Sequence, residues 1–421
     1  MSQKYKILVV LPFYGGSLPI GRFAAKGLQE LGHLVEVFES PLFYSAFEGL
    51  KQLKVSSNSL EQLEQGFLQV VARAIYAKIE AFDPSLVLAL AQAPLTRQLL
   101  TKLRQQGLPT AMWFVEDHQV FKYWRAFAPL YDFFAVIQKE PFWSALRQIK
   151  VDKICYLPLA CNPDVHKPLK LTPVEKKRFG SDLSFMGAGY PNRRKAFKEL
   201  LTYDFKIWGT EWDGDPVLEP FVQENGRRVS TEETVKIFNA SKINLNLHSS
   251  IQDKELITGG DFVNPRTFEI AGCKSFQLVD KRTLLPELFD LQTEMTVFSS
   301  LKELKQKIDY YLKHPQERKA LAEAAYARVN KDHTYKNRMA LLLEFIQSYV
   351  QLKPVPKQPI NQLVNQDLQT ECATLLEELG LDWTSDFEEI IFKIRQKQGQ
   401  LTPVETAFLF LDEWKKQYLQ T

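Results

Sequence analysis

The sequence predicts an α/β protein with two doubly wound domains that face a cleft, followed by a C-terminal helical extension. Three observations indicate this fold class. Short apolar strands alternate with amphipathic helices, as in parallel sheets that helices cover on both faces. The alternation is interrupted near residues 160–180 and then starts again. A length of 421 residues is enough for two or three domains.

The first half, residues 1–165, contains a series of predicted strands. Each is a short, mostly apolar run, which is typical of a strand buried on both faces. The runs are Ile7–Leu11, Leu34–Phe38, Leu86–Leu90, Ala111–Val115, Phe133–Ile137 and Lys153–Leu157. Helices are predicted over Phe23–Leu31, Glu61–Phe82 and Leu95–Gln106, because apolar residues recur there at helical spacing.

The second half, residues 166–352, repeats this architecture without a recognisable sequence repeat. Its predicted strands are Asp182–Met186, Phe205–Trp208, Ile243–Leu247, Phe276–Val279 and Met295–Phe298. Capping boxes, in which Ser or Thr is followed three residues later by Glu, begin at Thr172, Ser230 and Ser300. Helices predicted over Leu301–His314, Pro315–Asn330 and Tyr335–Leu352 end this domain.

Residues 353–366 are predicted to form a stiff linker, because Pro354, Pro356 and Pro359 fall within it. Residues 367–421 are predicted to be helical and are few for an independent domain. The helices of this extension carry leucine-rich and aromatic faces, for which we consider three docking sites. These are the protein's own core, a protein partner, and the inner face of a membrane, to which the protein would bind peripherally.

Composition excludes several functional classes. The 53 Lys and Arg nearly balance the 50 Asp and Glu, which argues against nucleic acid as the main partner. The four Cys are far apart and form no metal-type pair with the six His, so we expect no metal site. Sparse Cys fits a reducing compartment, and no apolar run is long enough for a signal peptide or a membrane span. We therefore expect a cytoplasmic protein.

Ligands of open α/β sheets bind beyond the carboxyl ends of the strands. That rule selects four loops, which are Phe13–Ser17, Glu116–His118, Gly187–Lys195 and His248–Arg266.

The last of these loops leads into a predicted helix start at Asn264-Pro265. Asn is a good cap, and Pro fits the first helical position. Arg266, Thr267 and Glu269 then lie on the first turns, where unpaired backbone N–H groups favour an anion. We interpret this segment as the binding site of a phosphorylated ligand.

The third loop predicts a second part of the same site. Gly187 and Gly189 leave space, and Asn192, Arg193 and Arg194 open a helix where a phosphate would be favoured. A solvated basic helix start is the alternative interpretation.

The first two loops predict the acceptor side of the cleft. Gly15 and Gly16 either allow close approach of a ligand or simply make a turn, and their spacing from Gly21 does not match a dinucleotide-binding motif, which disfavours a dehydrogenase. In the second loop, Glu116, Asp117 and His118 offer a general base for an acceptor hydroxyl. Capping of the next helix is the alternative role.

An ordered set of motifs resembles the CgeB-like glycosyltransferases, which are of the group 1 type and have the GT-B fold. The motifs are Asp182–Gly187, Tyr190–Arg194, Ile207–Gly209 with Trp212, Asn264–Gly272, His314–Arg318 and His333–Arg338. The resemblance is clearest over residues 180–345, weaker over 1–160 and absent after about residue 355.

The resemblance implies two Rossmann-like domains, with a nucleotide-sugar donor on the C-terminal one and an acceptor on the N-terminal one. It implies no metal and no cofactor beyond the nucleoside-diphosphate sugar as co-substrate. Arg193, Arg194 and Arg266 would neutralise the leaving diphosphate. Glu269 matches the first carboxylate of the Glu-x7-Glu pattern of many retaining relatives, whereas the second position is Gln277, which can bond a ribose hydroxyl as an amide. Retention or inversion stays open.

The sequence hypothesis is a glycosyltransferase that moves a sugar from a nucleoside-diphosphate sugar to a polysaccharide, lipid-linked or protein acceptor. One rival is a nucleotide-sugar epimerase or hydrolase on the same fold. Aromatic residues at Phe121, Tyr123, Trp124 and Phe127 favour a transferase with an acceptor-binding half. The other rival is a non-catalytic, nucleotide-sugar-binding partner subunit, which the neutral Gln277 would suit.

Overall fold

The computed structural model describes residues 3–250, 261–357, 359–360 and 369–418. Within them, two parallel sheets form the two halves. The strands of the first sheet are β1 (Lys6–Val10), β2 (Leu34–Phe38), β3 (Leu86–Leu90), β4 (Thr110–Phe114), β5 (Phe133–Val136) and β6 (Ile154–Tyr156). Those of the second are β7 (Leu183–Met186), β8 (Phe205–Trp208), β9 (Ile243–Asn246), β10 (Gln277–Asp280) and β11 (Thr296–Phe298).

Helices lie between and after the strands. Those of the first half are α1 (Ser17–Glu30), α2 (Tyr44–Lys51), α3 (Ser57–Phe82), α4 (Arg97–Gln105), α5 (Trp124–Phe127) and α6 (Phe142–Gln148). The second half contains α7 (Pro173–Phe179), α8 (Pro191–Phe197), α9 (Thr231–Ala240), α10 (Pro265–Gly272), α11 (Leu301–Lys313), α12 (Pro315–Asp332) and α13 (Tyr335–Gln347). The C-terminal extension contains α14 (Gln369–Leu379), α15 (Phe387–Gln396) and α16 (Pro403–Tyr418).

The five strands of the second sheet have the same order as the first five of the six-stranded first sheet. The first runs β2-β1-β3-β4-β5-β6, and the second runs β8-β7-β9-β10-β11. In each sheet the order reverses beside the first strand, between β1 and β3 and between β7 and β9. Such a reversal leaves a crevice beyond the carboxyl ends of the strands, where ligands bind in open α/β sheets.

The apolar runs are buried on both faces, as predicted. Along β1, Ile7 and Val9 pack into one core while Leu8 and Val10 pack into the core on the opposite face. This alternation follows from the period of two in a strand. The predicted fold class, two doubly wound domains with a helical C-terminal region, is confirmed.

Some element boundaries differ from the prediction. Helix α1 begins at Ser17, six residues before the predicted start, because Pro19 is tolerated in a first turn. Capping boxes are present at Thr172 and Ser230. At Ser300 the hydroxyl accepts from the Glu303 N–H, but the Glu303 carboxylate accepts from the Ser299 N–H instead.

Helix α13 returns to the first half. Gly27 of α1 lies so close to Tyr335 that a Cβ there would be 2.8 Å from the Tyr335 carbonyl carbon. Arg338 donates from Nε to the carbonyl oxygens of Pro158 and Leu159, at 2.8 and 3.2 Å. Residues 335–347 therefore pack on the first sheet although they follow the second along the chain. The predicted boundaries at residues 165 and 352 stay predictions.

The C-terminal helices have a small core of their own and also contact the first half. Leu375, Ile391 and Phe408 lie in that core. Glu388 of α15 pairs with Lys6 at the start of β1, and the ring of Phe392 lies 6.2 Å from that of Phe82. Part of the predicted linker, including residues 361–366, lies outside the described residues. No helix in the described part of the chain has the length and apolar character needed to span a bilayer.

Candidate functional site

A cleft of 660 Å³ lies between the two halves. Its walls come from the loops after β1, β4 and β5 in the first half and from the loop after β9, the start of α10 and the loop after β10 in the second. Five predicted site residues line it, namely Gly16, Glu116, Asp117, His118 and Asn264. The carboxyl ends of both sheets therefore meet at this cleft, as the position of the strand reversals requires.

Glu116 forms part of the first-half wall and is held on both oxygens. Gln92 Nε2 donates to Oε1, and Tyr123 Oη donates to Oε2 at 2.9 Å. Burial raises the pKa of the Glu116 carboxyl, and the bonds from Tyr123 and Gln92 offset this only in part. The side chain is thus a fixed acceptor at the edge of the cleft.

His118 is oriented by Gln138, a buried residue after β5. Gln138 Oε1 accepts from the His118 backbone N–H at 2.9 Å and lies 3.0 Å from His118 Nδ1. Because an amide oxygen can only accept, Nδ1 carries the proton, and Nε2 of the neutral ring carries the lone pair. The imidazole also stacks on Phe142, with 4.5 Å between ring centroids.

Asp261 of the second half fixes Gln138 in turn. Its Oδ1 accepts from Gln138 Nε2 at 3.0 Å, and its Oδ2 accepts from the Lys139 N–H at 2.8 Å. With its nitrogen committed to a carboxylate, Gln138 must direct its oxygen to His118. A residue of one half thereby helps to set the tautomer of an imidazole in the other.

The start of α10 forms as predicted. Asn264 Oδ1 accepts from the Thr267 N–H at 3.1 Å, and Pro265 occupies the first helical position. The Asn264 N–H donates to His248 Nε2 at 2.8 Å. Asn264 and Pro265 both line the cleft, so this helix start faces it.

Beneath α10, two predicted donor-binding residues are part of a buried polar network. Asn246 Nδ2 donates to Thr267 Oγ1 at 2.9 Å and to Gln277 Oε1 at 3.0 Å. Gln277 Nε2 donates to the Thr267 carbonyl oxygen at 2.8 Å. Neither Thr267 nor Gln277 is among the described residues that line the cleft. Both side chains instead fix α10 on the sheet.

The arginines at the start of α8 were predicted to contact a diphosphate, but the structure shows them bonded to backbone carbonyl oxygens. Arg193 is buried and donates from Nε and Nη2 to the Leu247 carbonyl oxygen, at 3.0 and 2.8 Å, and from Nη1 to that of Ala188 at 2.9 Å. Burial lowers the pKa of Arg193 to about 10. Arg194 donates to the carbonyl oxygens of Gly189, Trp212 and Glu211. These guanidinium groups hold the loops after the strands in place.

Asn192, Gly187 and Gly189 have similar supporting roles. Asn192 Nδ2 donates to the His248 carbonyl oxygen at 2.9 Å, and its Oδ1 accepts from the Ser250 N–H at 3.1 Å. A Cβ on Gly189 would collide with the Glu211 carbonyl oxygen, and one on Gly187 would lie 3.0 Å from the Phe185 ring. The two glycines allow neighbouring loops to pack closely.

Arg266 and Glu269 form an ion pair on α10. Arg266 Nη1 donates to Glu269 Oε2, while Glu269 Oε1 lies 4.0 Å from His166 Nε2. Burial raises the pKa of Glu269, but Arg266 and His166 outweigh that effect and hold the pKa below its usual value. Neither Arg266 nor Glu269 is among the described residues that line the cleft. The Glu269 carboxylate positions the Arg266 guanidinium on the first turn of α10.

The sequence prediction missed the loop after β10. Asp280 is fully buried and accepts from His248 Nδ1 at 2.6 Å and from Arg282 Nε at 2.9 Å. Arg282 lines the cleft. The strand-end rule could have selected Asp280–Thr283 as a fifth loop. Gln138 and Asp261 gave no such signal, because their roles depend on contact between the halves.

The glycine loop after β1 touches the second half. Gly15 has a φ of 99°, in the region that favours glycine, and its carbonyl oxygen accepts from Arg228 Nη2 at 3.2 Å. Gly16 lines the cleft. Across the described ranges, no three or more His, Cys, Asp or Glu side chains are grouped as a metal site would require. Most of the predicted loop His248–Arg266, residues 251–260, lies outside the described residues.

Comparison with known proteins shows what the chain is similar to. Residues 193–344 match the family described as glycosyl transferase-like. The spore protein CgeB of Bacillus subtilis (strain 168) is 27% identical over 278 residues, which cover 63% of this chain and 84% of CgeB. The resemblance to the CgeB-like glycosyltransferase family is confirmed.

Solved structures confirm the GT-B fold of this CgeB-like chain. A glycosyltransferase from Rickettsia africae superposes with a TM-score of 0.55 at 16% identity, covering 82% of this chain and 99% of that one. HepE from Anabaena, solved in complex with UDP and glucose, superposes with a TM-score of 0.57 at 13% identity. The superposition covers 82% of this chain and 100% of HepE. Sucrose-phosphate synthase from Thermosynechococcus elongatus superposes with a TM-score of 0.55 at 13% identity, and the superposition covers 82% of this chain and 99% of the synthase. Family and fold together support glycosyl transfer as the general activity.

Proposed function

We propose that this chain transfers a sugar from a nucleoside-diphosphate sugar to a hydroxyl of a polysaccharide, lipid-linked or protein acceptor. The observation that carries the proposal is the cleft itself. The N-terminus of α10 and Arg282 lie on one wall, and an imidazole with a fixed tautomer lies on the other. An anion-binding group opposite a proton acceptor is the arrangement that transfer between a diphosphate donor and a hydroxyl needs.

The second-half wall would bind the diphosphate. The N-terminus of α10 directs backbone N–H groups and the positive end of its dipole towards the cleft beside Asn264. Arg282 lies on the same wall, and Arg266 projects from the first turn of α10. Together they would stabilise the charge that develops on the leaving diphosphate, without a metal. The complex of HepE with UDP supports this assignment.

The first-half wall would bind and activate the acceptor. His118 Nε2 would accept the proton of the acceptor hydroxyl as its oxygen bonds to the anomeric carbon, because Gln138 keeps the ring proton on Nδ1. Glu116, held by Gln92 and Tyr123, would accept a hydrogen bond from a second hydroxyl of the acceptor. Asp117, 3.7 Å from His118 Nδ1, would stabilise the imidazolium that forms.

The test uses the full-length chain with a panel of UDP- and GDP-sugars. We expect release of a nucleoside diphosphate from at least one donor, and calorimetric binding of the matching free nucleoside diphosphate. Product analysis without acceptor separates transfer from epimerisation or hydrolysis, since those reactions need no acceptor. Binding of a nucleotide without turnover in any acceptor extract would instead support a non-catalytic partner subunit. No binding and no turnover with any donor would refute the proposal.

A further inference from the structure

His248 and Asp280 form a buried pair behind the second-half wall of the cleft. Neither side chain is exposed, and 2.6 Å separates His248 Nδ1 from Asp280 Oδ1. His248 lies just after β9, and Asp280 is the last residue of the neighbouring strand β10. The pair thus joins two strand ends at the edge of the sheet that faces the cleft.

The backbone N–H of Asn264 fixes the tautomer of His248. This N–H donates to His248 Nε2 at 2.8 Å. Because a backbone N–H can only donate, Nε2 carries the lone pair, and the ring proton lies on Nδ1, which donates it to Asp280. The imidazole is therefore a neutral bridge from the end of β10 to Asn264, the residue that caps α10.

His248 is held in place through its own backbone as well. Its N–H donates to Asp280 Oδ1 at 2.9 Å, and its carbonyl oxygen accepts from Asn192 Nδ2 at 2.9 Å. The ring of Phe262, which lines the cleft, packs on the imidazole with 5.3 Å between ring centroids. Because the imidazole is fully buried, loss of Nε2 as an acceptor would leave the Asn264 N–H without a replacement from water.

The other oxygen of Asp280 holds an arginine of the same wall. Oδ2 accepts from Arg282 Nε at 2.9 Å and also from Arg282 Nη2. Arg282 and Asn264 both line the cleft. One carboxylate thus fixes two elements of this wall, Arg282 directly and the N-terminus of α10 through His248.

We infer that His248 and Asp280 are positioning residues of the diphosphate site, which hold the N-terminus of α10 and Arg282 in the binding geometry before the donor arrives. The inference rests on the proposed function for the identity of the ligand. Neither residue is among the described residues that line the cleft, so both act through the groups that do. Groups that are already ordered bind more tightly, because less freedom is lost when the ligand binds.

Two substitutions at His248 separate its two side-chain hydrogen bonds. In His248→Asn, the amide lies near the position of Nδ1 and can still donate to Asp280, but no atom reaches the position of Nε2. In His248→Gln, the longer side chain brings its amide oxygen to the position of Nε2, so the Asn264 N–H keeps an acceptor. Each variant buries one neutral amide in place of one neutral ring, and each is therefore the matched control for the other.

The first measurement is calorimetric titration of UDP and GDP into the full-length wild type and both variants. We expect His248→Asn to weaken the nucleotide that the wild type binds about tenfold, and His248→Gln to remain within about threefold of the wild type. Thermal denaturation of the same samples gives their stability. With a merely structural role, affinity would follow stability rather than the presence of an acceptor at the position of Nε2.

The second measurement is hydrogen exchange of the wild type without nucleotide, which depends on no variant. We expect the Asn264 N–H to exchange as slowly as the amides inside α10, because its acceptor is buried. This measurement tests the hold on α10 even if the wild type binds neither UDP nor GDP. That absence of binding would count against the proposed function alone.

The inference would be overturned if folded His248→Asn bound the nucleotide as tightly as the wild type, or if both variants lost the same affinity. It would also fail if the Asn264 N–H of the wild type exchanged as fast as an amide that is open to solvent.

Discussion

Asp261 and Gln138 join the two halves across the cleft, with 3.0 Å between Oδ1 and Nε2. They come from different halves and are 123 positions apart in the sequence. Together with the His118 backbone N–H and Asp117, the bond from Gln138 to Asp261 orients the amide so that its oxygen faces His118, and hence leaves Nε2 of His118 as the nitrogen that can accept a proton. Contact between the halves is thus coupled to the tautomer of His118, the proposed base.

Replacing Asp261 tests this coupling. In Asp261→Asn, the new amide no longer offers two acceptors to Gln138 Nε2 and the Lys139 N–H. Gln138 would then be held less firmly, by the His118 N–H and by Asp117 at 3.4 Å. We expect kcat to fall about tenfold or more, with little change in thermal stability. The control is Glu287→Gln, which removes another ion pair between the halves, to Lys139, without touching Gln138. Equal losses in both variants would show that Asp261 acts only through domain contact.

His118→Asn separates positioning from proton transfer. Asn can still donate to Gln138 Oε1, but it offers no basic nitrogen at the position of Nε2. We expect transfer to fall by about 10²–10⁴-fold, the usual contribution of a general base, with UDP affinity unchanged. Initial rates measure the transfer activity, and calorimetry on the same preparation measures the UDP affinity. Full activity of the variant would remove His118 from the mechanism and leave Glu116 as the remaining base.

Arg266→Ala should weaken binding of a nucleoside diphosphate by about 1.5–3 kcal/mol, the range for hydrogen bonds to charged groups. The side chain is 34% exposed and pairs with Glu269. Arg328→Ala is a matched control, since Arg328 is 38% exposed, pairs with Glu294 and lies on α12 rather than on the first turn of α10. If both variants bind UDP like the wild type, Arg266 makes no donor contact.

Stability should decrease as the pH falls from 6.5 towards 4. Burial and the neighbouring Arg338 lower the pKa of His333 to about 4, and burial lowers the pKa of His248 to about 4 as well. Unfolded histidine titrates near 6.5, so the unfolded chain binds more protons within this window and is favoured as the pH falls. Each histidine contributes up to about 3 kcal/mol, fully lost below pH 4.

Thermal denaturation between pH 4.5 and 7.5 checks this expectation. His333→Gln should give a shallower dependence on pH than the wild type. The control is His314→Gln, at a histidine that stacks on Tyr310 near the surface. An unchanged slope in His333→Gln would contradict the assignment.

The strands were predictable because burial on both faces leaves continuous apolar runs, and even the cap at Asn264 is local chemistry. The roles of Arg193 and Arg194 were not predictable, because a basic cluster has the same sequence pattern whether it faces a ligand or backbone carbonyl oxygens. Gln277 was expected to contact the donor because of its spacing from Glu269, but spacing does not show that Gln277 lies beneath α10, the helix that carries Glu269. The link between His118, Gln138 and Asp261 exists only once the halves meet.

The most direct test of the central claim is a crystal structure of the full-length chain grown with UDP. The account predicts that the diphosphate lies in the cleft at the N-terminus of α10, beside Asn264, Arg266 and Arg282, on the wall opposite His118. UDP bound outside the cleft, or bound on the first-half wall away from α10, would contradict it.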